Sequence, residues 1–268
     1  MTHAAGESPV VALDLDGVLW RGEQTITGAA DGVGKLRAAG MRVAFLSNNS
    51  SMPVADVVAK LERFGVGAAP EEVLTSAISA AALLEKALAP GSRVLACAGP
   101  GVFEALAAVG LEPVREAPAE AVVVGFHRDF DYDALDRASR LVREGARFIA
   151  TNLDATYPTG DDLIPGAGSL VAAVATAAGA NPEVAGKPSA PMVALVLGRL
   201  GTTGVMVGDR PSTDGALADL LGWSFALVLS GVTAAVAPPG GEAIPVPAPP
   251  FVAADLGELA PLLIAAFG

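Results

Sequence analysis

Short apolar runs alternate along the chain with longer segments of helical periodicity. The clearest helical pattern covers residues 53–64, where apolar side chains recur at helical spacing and Gly65 suits the helix end. The apolar runs have the length of strands and cover residues 10–13, 42–46, 205–207, 225–229 and 251–253. Strands that alternate with helices predict a parallel sheet in an α/β fold.

The segment between the second of these strands and Lys187 contains about half of the chain. A connection between neighbouring parallel strands needs far fewer residues, so we expect an inserted domain here. The insert has its own strand-like runs and helical patterns, at 94–98, 121–125 and 148–151 for strands and at 101–109, 131–144 and 168–178 for helices. The sequence predicts a core formed by residues 1–80 and 185–268 and an inserted α/β domain formed by residues 81–184.

Composition narrows the classes of function. Of the 268 residues, 52% are hydrophobic, which is ample for a packed core. The formal net charge of -12 argues against a nucleic-acid partner, because binding a phosphate backbone needs a basic face. Two long uncharged stretches, residues 163–182 and 220–241, are interrupted by Gly, Pro, Ser and Thr, so buried core is a better interpretation than a membrane span.

The single cysteine and the N-terminal segment bear on location. Cys97 has no partner for an intrachain disulfide, and its apolar neighbours favour a small buried side chain over a thiolate nucleophile. The N-terminal segment has no basic stretch followed by an apolar core, as a secretory signal would. We therefore expect a cytoplasmic protein.

Two carboxylates, Asp14 and Asp16, stand two residues apart where the first apolar run gives way to Gly17. Alternate strand residues share a face, so both acids can point toward one small volume. Two like charges at a strand end are costly unless a cation or a reaction uses them. A solvated turn is the alternative, because Asp and Gly are common turn residues.

Three later segments supply the other parts of an aspartyl-phosphate mechanism. Ser47, Asn48 and Asn49 end the second strand with small hydrogen-bonding side chains. Lys187 lies in Gly-Lys-Pro, where Pro188 suits the first position of a helix and Lys187 lies just outside it. The strand at residues 205–207 is followed by two more acids, Asp209 and Asp214.

Together these motifs resemble those of the haloacid dehalogenase-like phosphatases, in the branch that contains NagD-like, p-nitrophenyl phosphatase-like and pyridoxal phosphate phosphatase-like enzymes. The resemblance runs over nearly the whole chain through Asp14-Leu-Asp-Gly-Val-Leu-Trp20, Ser47-Asn-Asn-Ser50, Thr151-Asn-Leu-Asp154, Gly186-Lys-Pro188 and Gly208-Asp-Arg-Pro-Ser-Thr-Asp214. It implies an α/β fold with a Rossmann-like parallel-sheet core, a large inserted α/β cap domain that closes over the active site, and a homodimer formed through the cap.

The acids then take separate roles. A carboxylate that attacks phosphorus splits hydrolysis into two easier steps, and Asp14 is the expected nucleophile. Asp16 can protonate the leaving oxygen and later accept a proton from water, which the resemblance also implies. Oxygen ligands of this kind suit Mg²⁺, with Asp209 as a further anchor. The resemblance implies that Asp14 and Asp209 bind the metal through side chains and Asp16 through its backbone carbonyl. Asp214 is expected to support the site by orienting a water on the metal or Lys187; helix capping is its alternative role.

Donors fixed around the phosphoryl group stabilise its charge during transfer. Ser47, the backbone of Asn48 and Lys187 are the candidates, and Gly17 allows the backbone to approach the phosphate closely. Asn49 is expected to brace the loop or touch the substrate. For Lys187 the alternative is a solvated surface lysine.

Substrate contacts are the least defined part of the prediction. Trp20 follows the catalytic loop and can line the pocket or pack in the core. Phe126 and Tyr157 belong to cap segments that lie near the leaving group in the resembled enzymes. His127 stands beside Arg128 and Asp129, which favours a structural or surface role over a base or metal ligand.

The sequence thus predicts a Mg²⁺-dependent phosphomonoester hydrolase that acts on a small phosphorylated metabolite. Glycerol 3-phosphate is the preferred substrate, and phosphoglycolate, pyridoxal phosphate and nucleotide monophosphates are alternatives. A phosphotransferase or mutase is less favoured, because mutase relatives carry a helical insert earlier in the chain. A signalling receiver is disfavoured because an acid two residues beyond Asp14 would promote hydrolysis of a stored phosphate.

Overall fold

The structure is a computed structural model that describes residues 10–159, 162–234 and 241–268. Residues 1–9, which begin the segment that bears on a secretory signal, lie outside the described residues. The chain divides into two units. The first consists of the described parts of Met1–Leu46, Lys60–Val73 and Val196–Gly268, and the second consists of the described parts of Ser47–Ala59 and Leu74–Leu195.

The strands follow the apolar runs of the sequence and add several short pairs. In chain order they are β1 (Val10–Asp14), β2 (Trp20–Arg21), β3 (Gln24–Thr25), β4 (Arg42–Ser47), β5 (Val73–Thr75), β6 (Arg93–Cys97), β7 (Glu112–Val114), β8 (Ala121–Val124), β9 (Arg147–Ala150), β10 (Thr156–Thr159), β11 (Asp162–Pro165), β12 (Glu183–Val184), β13 (Gly204–Gly208), β14 (Ser224–Val228), β15 (Thr233–Ala234), β16 (Glu242–Ala243) and β17 (Phe251–Ala253).

The helices occupy the segments between the strands. They are α1 (Ala29–Ala38), α2 (Val54–Arg63), α3 (Ser76–Glu85), α4 (Pro100–Ala108), α5 (Tyr132–Arg143), α6 (Ala167–Ala178), α7 (Ala190–Leu200), α8 (Ala216–Leu221) and α9 (Leu256–Phe267), with a 3₁₀ turn at Pro70–Glu72 and a π-helical turn at Pro211–Gly215. Within the described ranges, none of the helices combines the length and apolarity that crossing a bilayer requires.

The larger sheet has the strand order β17-β14-β13-β1-β4-β5. Strand β1 pairs in parallel with β4 on one side and with β13 on the other, and every residue of β1 is buried. The chain moves outward from β1 in one direction through β4 and returns on the other side through β13, so the strand order reverses at β1. In open α/β sheets such a reversal leaves a crevice outside the carboxyl ends of the strands, where ligands bind.

The sheet of the second unit is parallel throughout and has the order β12-β9-β8-β6-β7. Alternate residues of β6 enter two different cores. Val94 and Ala96 pack with residues of α3 and α4, whereas Leu95 and Cys97 pack with residues of α5 and α6. Because helices cover both faces, the strands read as continuous apolar runs. The predicted α/β class with parallel sheets is confirmed.

One prediction about a helix boundary is wrong. Helix α7 begins at Ala190, so Pro188 does not take its first position. The Lys187–Pro188 peptide bond is cis, and both residues lie in a turn before the helix. The backbone groups of Lys187 hydrogen-bond with the side chain of Asn48 instead of with helical partners.

Candidate active site

Asp14 and Asp209 lie at the carboxyl ends of two paired strands of the first unit. Asp14 is the last residue of β1, and Asp209 directly follows β13. The strands run in parallel with Leu13 opposite Val207, so both acids reach the same edge of the sheet. Asp14 is 9% exposed and Asp209 is 4% exposed. The sheet topology therefore brings together two acids that stand far apart in the sequence.

Asp214 completes a cluster of buried acids. Carboxylate oxygens of Asp14, Asp209 and Asp214 all lie within 4.8 Å of one another. Asp214 is 1% exposed, and its Oδ2 accepts a hydrogen bond from the backbone N–H of Arg210 at 3.2 Å. This hydrogen bond lies at the π-helical turn Pro211–Gly215 and does not cap α8, which starts only after Gly215.

The electrostatics of the cluster favour a cation. Burial raises the pKa of Asp209 well above its ordinary range, and the negative charges of Asp14 and Asp214 raise that pKa further. A backbone hydrogen bond from Val232 and the charge of Arg210 lower the pKa of Asp209 but do not offset these effects. Three carboxylate donors at this spacing fit a hard divalent cation such as Mg²⁺, which binds oxygen ligands.

Glycines let the two carboxylates of Asp209 and Asp214 pack against bare backbone. A Cβ added at Gly17, whose φ is +86°, would lie 2.5 Å from Cγ of Asp209. A Cβ at Gly231 would overlap the same carboxylate, and a Cβ at Gly208 would overlap that of Asp214. A glycine is therefore required at each of these positions for the acids to keep their places.

The loop after β14 was not identified from the sequence as part of the site. Its Val232 N–H donates to Oδ2 of Asp209 at 2.7 Å, and the Ser230 hydroxyl donates to the carbonyl of Gly17 at 2.7 Å. The signal that could have found this loop is positional. Strand β14 is the parallel neighbour of β13, so its carboxyl end reaches the same edge of the sheet.

Asp16 is half-buried and, among the described residues, is not a member of the carboxylate cluster. Its Oδ1 accepts a hydrogen bond from the indole Nε1 of Trp20 at 3.0 Å. The backbone between them turns tightly, with the N–H of Gly17 donating to the carbonyl of Trp20 at 2.7 Å. Trp20 is 3% exposed.

The residues after β4 belong to the second unit and form a braced loop. The Ser47 hydroxyl oxygen accepts from the N–H of Asn49 at 3.0 Å. Oδ1 of Asn49 accepts from the N–H and from the hydroxyl of Ser51, at 2.9 and 2.6 Å. The side chain of Asn49 is thus used within the loop.

Asn48 holds the backbone of Lys187. Oδ1 of Asn48 accepts from the N–H of Lys187 at 2.7 Å, and Nδ2 of Asn48 donates to the carbonyl of Lys187 at 3.1 Å. A Cβ at Gly186 would lie 2.6 Å from Oδ1 of Asn48, so this glycine permits the contact. Lys187 is 4% exposed, which rules out the alternative of a solvated surface lysine.

The Thr-Asn-Leu-Asp segment joins the same network. Nδ2 of Asn152 and the hydroxyl of Ser76 each donate to the carbonyl of Asn48 at 2.7 Å. Nδ2 of Asn48 also donates to Oδ2 of Asp154 at 3.2 Å. Two other sequence motifs therefore meet at Asn48, and no pattern in the chain identifies Asn152 and Asp154 as its partners.

The aromatic candidates of the second unit pack on each other. The rings of Phe126 and Tyr157 stack with centroids 5.5 Å apart.

Nδ1 of His127 lies 3.0 Å from the carbonyl of Gly125, and Nε2 of His127 lies 4.0 Å from Sγ of Cys97. Burial raises the pKa of Cys97 to about 12, so its thiol stays protonated and is not a nucleophile.

Comparison with known proteins links both units to one family. Two family models match the chain, the first described as haloacid dehalogenase-like hydrolase over residues 11–112 and the second as HAD-hydrolase-like over residues 184–259. The D-glycerol 3-phosphate phosphatase of Mycobacterium tuberculosis is 38% identical over 262 residues, which cover 97% of this chain and 73% of that protein. The glycerol-3-phosphate phosphatase of Gallus gallus is 36% identical, with 82% and 79% covered.

Solved structures show the same fold. A crystal structure of the glycerol phosphate phosphatase of Mycobacterium tuberculosis in complex with magnesium has a TM-score of 0.84 and 38% identity, and the match covers 94% of this chain and 76% of that chain. The p-nitrophenyl phosphatase of Archaeoglobus fulgidus also has a TM-score of 0.84, at 28% identity, with 96% and 100% covered.

Proposed function

Because the chain belongs to the haloacid dehalogenase-like hydrolase family and is a phosphatase, we propose that it hydrolyses glycerol 3-phosphate to glycerol and inorganic phosphate. The family and the phosphatase activity predicted from the sequence are confirmed. The observation that carries the proposal is the buried cluster of Asp14, Asp209 and Asp214 at the switch point of the sheet, in a chain whose relatives are named for this substrate.

In the proposed mechanism Asp14 is the nucleophile and Asp16 is the acid and base. A carboxylate oxygen of Asp14 forms a bond to phosphorus while the bond between phosphorus and the glycerol oxygen breaks, and Asp16 gives that oxygen a proton. Asp16 then takes a proton from water as the water oxygen attacks the phosphorus. The acyl phosphate bond breaks, inorganic phosphate leaves, and the carboxylate of Asp14 is restored.

The site fits Mg²⁺, which we propose is held by the side chains of Asp14 and Asp209 and by the backbone carbonyl of Asp16. When bound, Mg²⁺ neutralises these acids and polarises the phosphoryl oxygens. Asp214 supports the site by adding negative charge beside Asp209. Gly17 leaves room for Asp209 in its observed place.

We propose that the phosphoryl oxygens are bound by Ser47, the backbone N–H of Asn48 and Lys187. The backbone of Asn48 is the better donor because its side-chain amide is used by Lys187 and Asp154. Asn49 braces the loop through Ser51. Donors held in this way need no reorganisation when charge develops on the phosphoryl group.

Residues 81–184 are proposed to be the cap, with Phe126 and Tyr157 as contacts to the leaving group. Trp20 is 3% exposed and its ring packs with that of Phe64, which supports its alternative role in the core. Phe126 and Tyr157 stack on each other. The resembled pyridoxal phosphate phosphatases have tyrosine in place of Phe126 and histidine in place of Tyr157. These replacements remove polar contacts to a pyridine ring, which supports glycerol 3-phosphate over pyridoxal phosphate. A homodimer through the cap and a cytoplasmic location are further proposals, based on the family resemblance and on the sequence.

A substrate panel tests the proposal. Values of kcat/KM with Mg²⁺ are measured for glycerol 3-phosphate, phosphoglycolate, pyridoxal phosphate and UMP, with Asp14→Asn purified in parallel as the blank. Glycerol 3-phosphate is expected to lead. If pyridoxal phosphate or UMP leads by more than about tenfold, or ~1.4 kcal/mol of transition-state preference, this choice of substrate is wrong and the phosphatase mechanism stands.

A further inference from the structure

Trp20 makes a directed polar contact with Asp16. Its indole Nε1 donates to Oδ1 of Asp16 at 3.0 Å, and the two residues stand four positions apart in the chain. Trp20 is 3% exposed and Asp16 is half-buried, so water reaches this hydrogen bond only from the side of the aspartate. A partly buried hydrogen bond holds its acceptor more firmly than an exposed one.

The indole ring is itself held from several sides. Nζ of Lys60 lies 4.6 Å from the ring centroid, and the ring of Phe64 packs at a centroid distance of 5.6 Å. Lys60 is 7% exposed, and its ammonium donates to the carbonyl of Gly22 at 2.8 Å and lies 3.3 Å from Oε1 of Glu23. A buried ammonium over an indole face is a cation–π contact.

The backbone of Trp20 is fixed as well. Its carbonyl accepts from the N–H of Gly17 at 2.7 Å, and the residue pairs with Thr25 across the β2–β3 hairpin. Ring and backbone are thus held by different contacts. The indole N–H therefore has a defined direction, and its acceptor is the residue that we assign as the acid and base.

We infer that Trp20 is a positioning residue that fixes the carboxyl group of Asp16 for proton transfer. The inference rests on the proposed role of Asp16. An aspartate side chain has two rotatable bonds, and a proton moves efficiently only when donor and acceptor are within hydrogen-bond reach. The hydrogen bond from the indole N–H to Oδ1 restricts these rotations and holds the carboxyl group in one orientation for that transfer.

The inference makes a prediction that depends on the leaving group. The oxygen of glycerol needs a proton as it leaves, so a displaced Asp16 slows the first step with glycerol 3-phosphate. The p-nitrophenolate anion is stable and leaves without a proton, so its release in the first turnover does not need Asp16. Hydrolysis of the aspartyl-phosphate needs Asp16 with both substrates.

The test uses Trp20→Phe, which keeps an aromatic ring and removes the N–H. The matched control is Trp223→Phe, because Nε1 of Trp223 is buried and has no hydrogen-bond partner among the described residues. Trp20→Phe is expected to lower kcat on glycerol 3-phosphate by at least about tenfold and to leave KM within roughly twofold. With p-nitrophenyl phosphate it should release a burst of one nitrophenolate per enzyme at a rate near that of the wild type. Trp223→Phe should match the wild type in all three measurements.

Several outcomes would overturn the inference. One is an equal loss of rate in the first turnover of both substrates. Another is a raised KM with kcat unchanged. Either result would mean that the ring serves only packing. In the Asp16→Asn background, Trp20→Phe should lower kcat no further, and a full additional loss would show that Trp20 does not act through Asp16. If melting shows that Trp20→Phe does not fold, Lys60→Met is measured in its place and must show the same dependence on leaving group.

Failure of the proposed function has a different signature. If Asp16→Asn keeps the wild-type kcat on glycerol 3-phosphate, Asp16 is not the acid and base, whatever Trp20→Phe does. If Asp16→Asn is impaired and folded Trp20→Phe is not, only the inference about Trp20 fails.

Discussion

The side-chain amide of Asn48 pairs with both backbone polar groups of Lys187, accepting from its N–H at 2.7 Å and donating to its carbonyl at 3.1 Å. This two-point contact fixes the start of the lysine side chain. The carbonyl of Asn48 is in turn held by Ser76 and Asn152. Lys187 is therefore placed by a residue that stands more than a hundred positions earlier in the chain.

Asn48→Ala is expected to lower kcat/KM by about tenfold to a hundredfold, because Lys187 loses both contacts and no longer meets the phosphoryl group in a fixed position. Steady-state kinetics on glycerol 3-phosphate and thermal melting check the result. The matched control is Ser79→Ala, which removes a buried hydrogen bond to the carbonyl of Ala185. Ser79→Ala should lose about 1 kcal/mol of stability, and Asn48→Ala, which removes three side-chain hydrogen bonds, should lose about 2–3 kcal/mol. Equal kinetic losses in the two would mean that Asn48 stabilises the fold without positioning Lys187.

Asp14→Asn should abolish turnover and keep the fold. The amide preserves the shape of the side chain but lacks the negative charge that attacks phosphorus, so a loss of at least about a thousandfold, or ~4 kcal/mol, is expected. Circular dichroism and phosphate release are measured on the same sample. An unchanged spectrum together with activity near the wild type would remove Asp14 as the nucleophile.

Activity should require Mg²⁺ and should be inhibited by Ca²⁺. Calcium prefers more ligands and a looser geometry than magnesium, which would disturb the in-line attack by Asp14. The measurement is phosphate release after chelation and then with each cation added back. Full turnover in excess chelator would contradict the proposed metal dependence, and equal turnover with both cations would contradict this account of the geometry.

Gly17→Ala should disrupt the site both by backbone strain and by a collision with a neighbouring side chain. The φ of +86° disfavours alanine by roughly 1–2 kcal/mol, and the new methyl group would collide with the carboxylate of Asp209. Gly40→Ala is the control, because Gly40 has a φ of +79° and nothing within 4 Å of an added Cβ. Gly40→Ala should lower the melting temperature and leave kcat/KM unchanged, whereas Gly17→Ala should lower kcat/KM by at least about a hundredfold. Similar activities in the two variants would exclude the collision as a cause.

The raised pKa of Asp209 predicts how pH affects the metal-free protein. A carboxyl whose pKa is raised on folding contributes stability that is fully present below its ordinary pKa of 3.8 and is lost as the pH rises through the folded pKa. Asp209→Asn removes this dependence. In chelator, the variant should melt at a higher temperature than the wild type at neutral pH, and the difference should shrink toward zero as the pH falls toward 3.8.

A second expectation for Asp209→Asn concerns the binding of the metal. Mg²⁺ should raise the melting temperature of the wild type more than that of Asp209→Asn, because a cation that binds only the folded state stabilises it by mass action. An equal rise in both proteins would mean that Asp209 does not bind the metal. A variant that melts below the wild type at every pH would contradict the explanation that burial and the neighbouring acids raise the pKa of Asp209.

Local pattern in the sequence was sufficient for eight strands of the two large sheets and for helices α2, α4, α5 and α6. The apolar run at residues 251–253 is strand β17, and the pattern at 131–144 contains α5, where Asp131 caps the first turn. Such elements can be predicted because their periodicity and caps lie within a few residues of each other. The hairpin of β10 and β11 was missed, since its short strands carry prolines that weaken a strand pattern.

The sequence by itself also determined that two acids of the first unit come together, because Asp14 and Asp209 stand at the ends of β1 and β13 and neighbouring parallel strands end at the same edge of a sheet. Only the tertiary structure decided which partner each of them has. Asp214 joins Asp14 and Asp209, and Asn48 hydrogen-bonds with the backbone of Lys187. Gly208, at the end of β13, and Gly231, after β14, make room for the acids. No local pattern encodes the contact of Asn48 with Lys187 or of Gly17 with Asp209, because each joins segments that are distant in the chain. Hydrogen bonds are directional, so they form only where packing holds the donor and the acceptor in the right geometry.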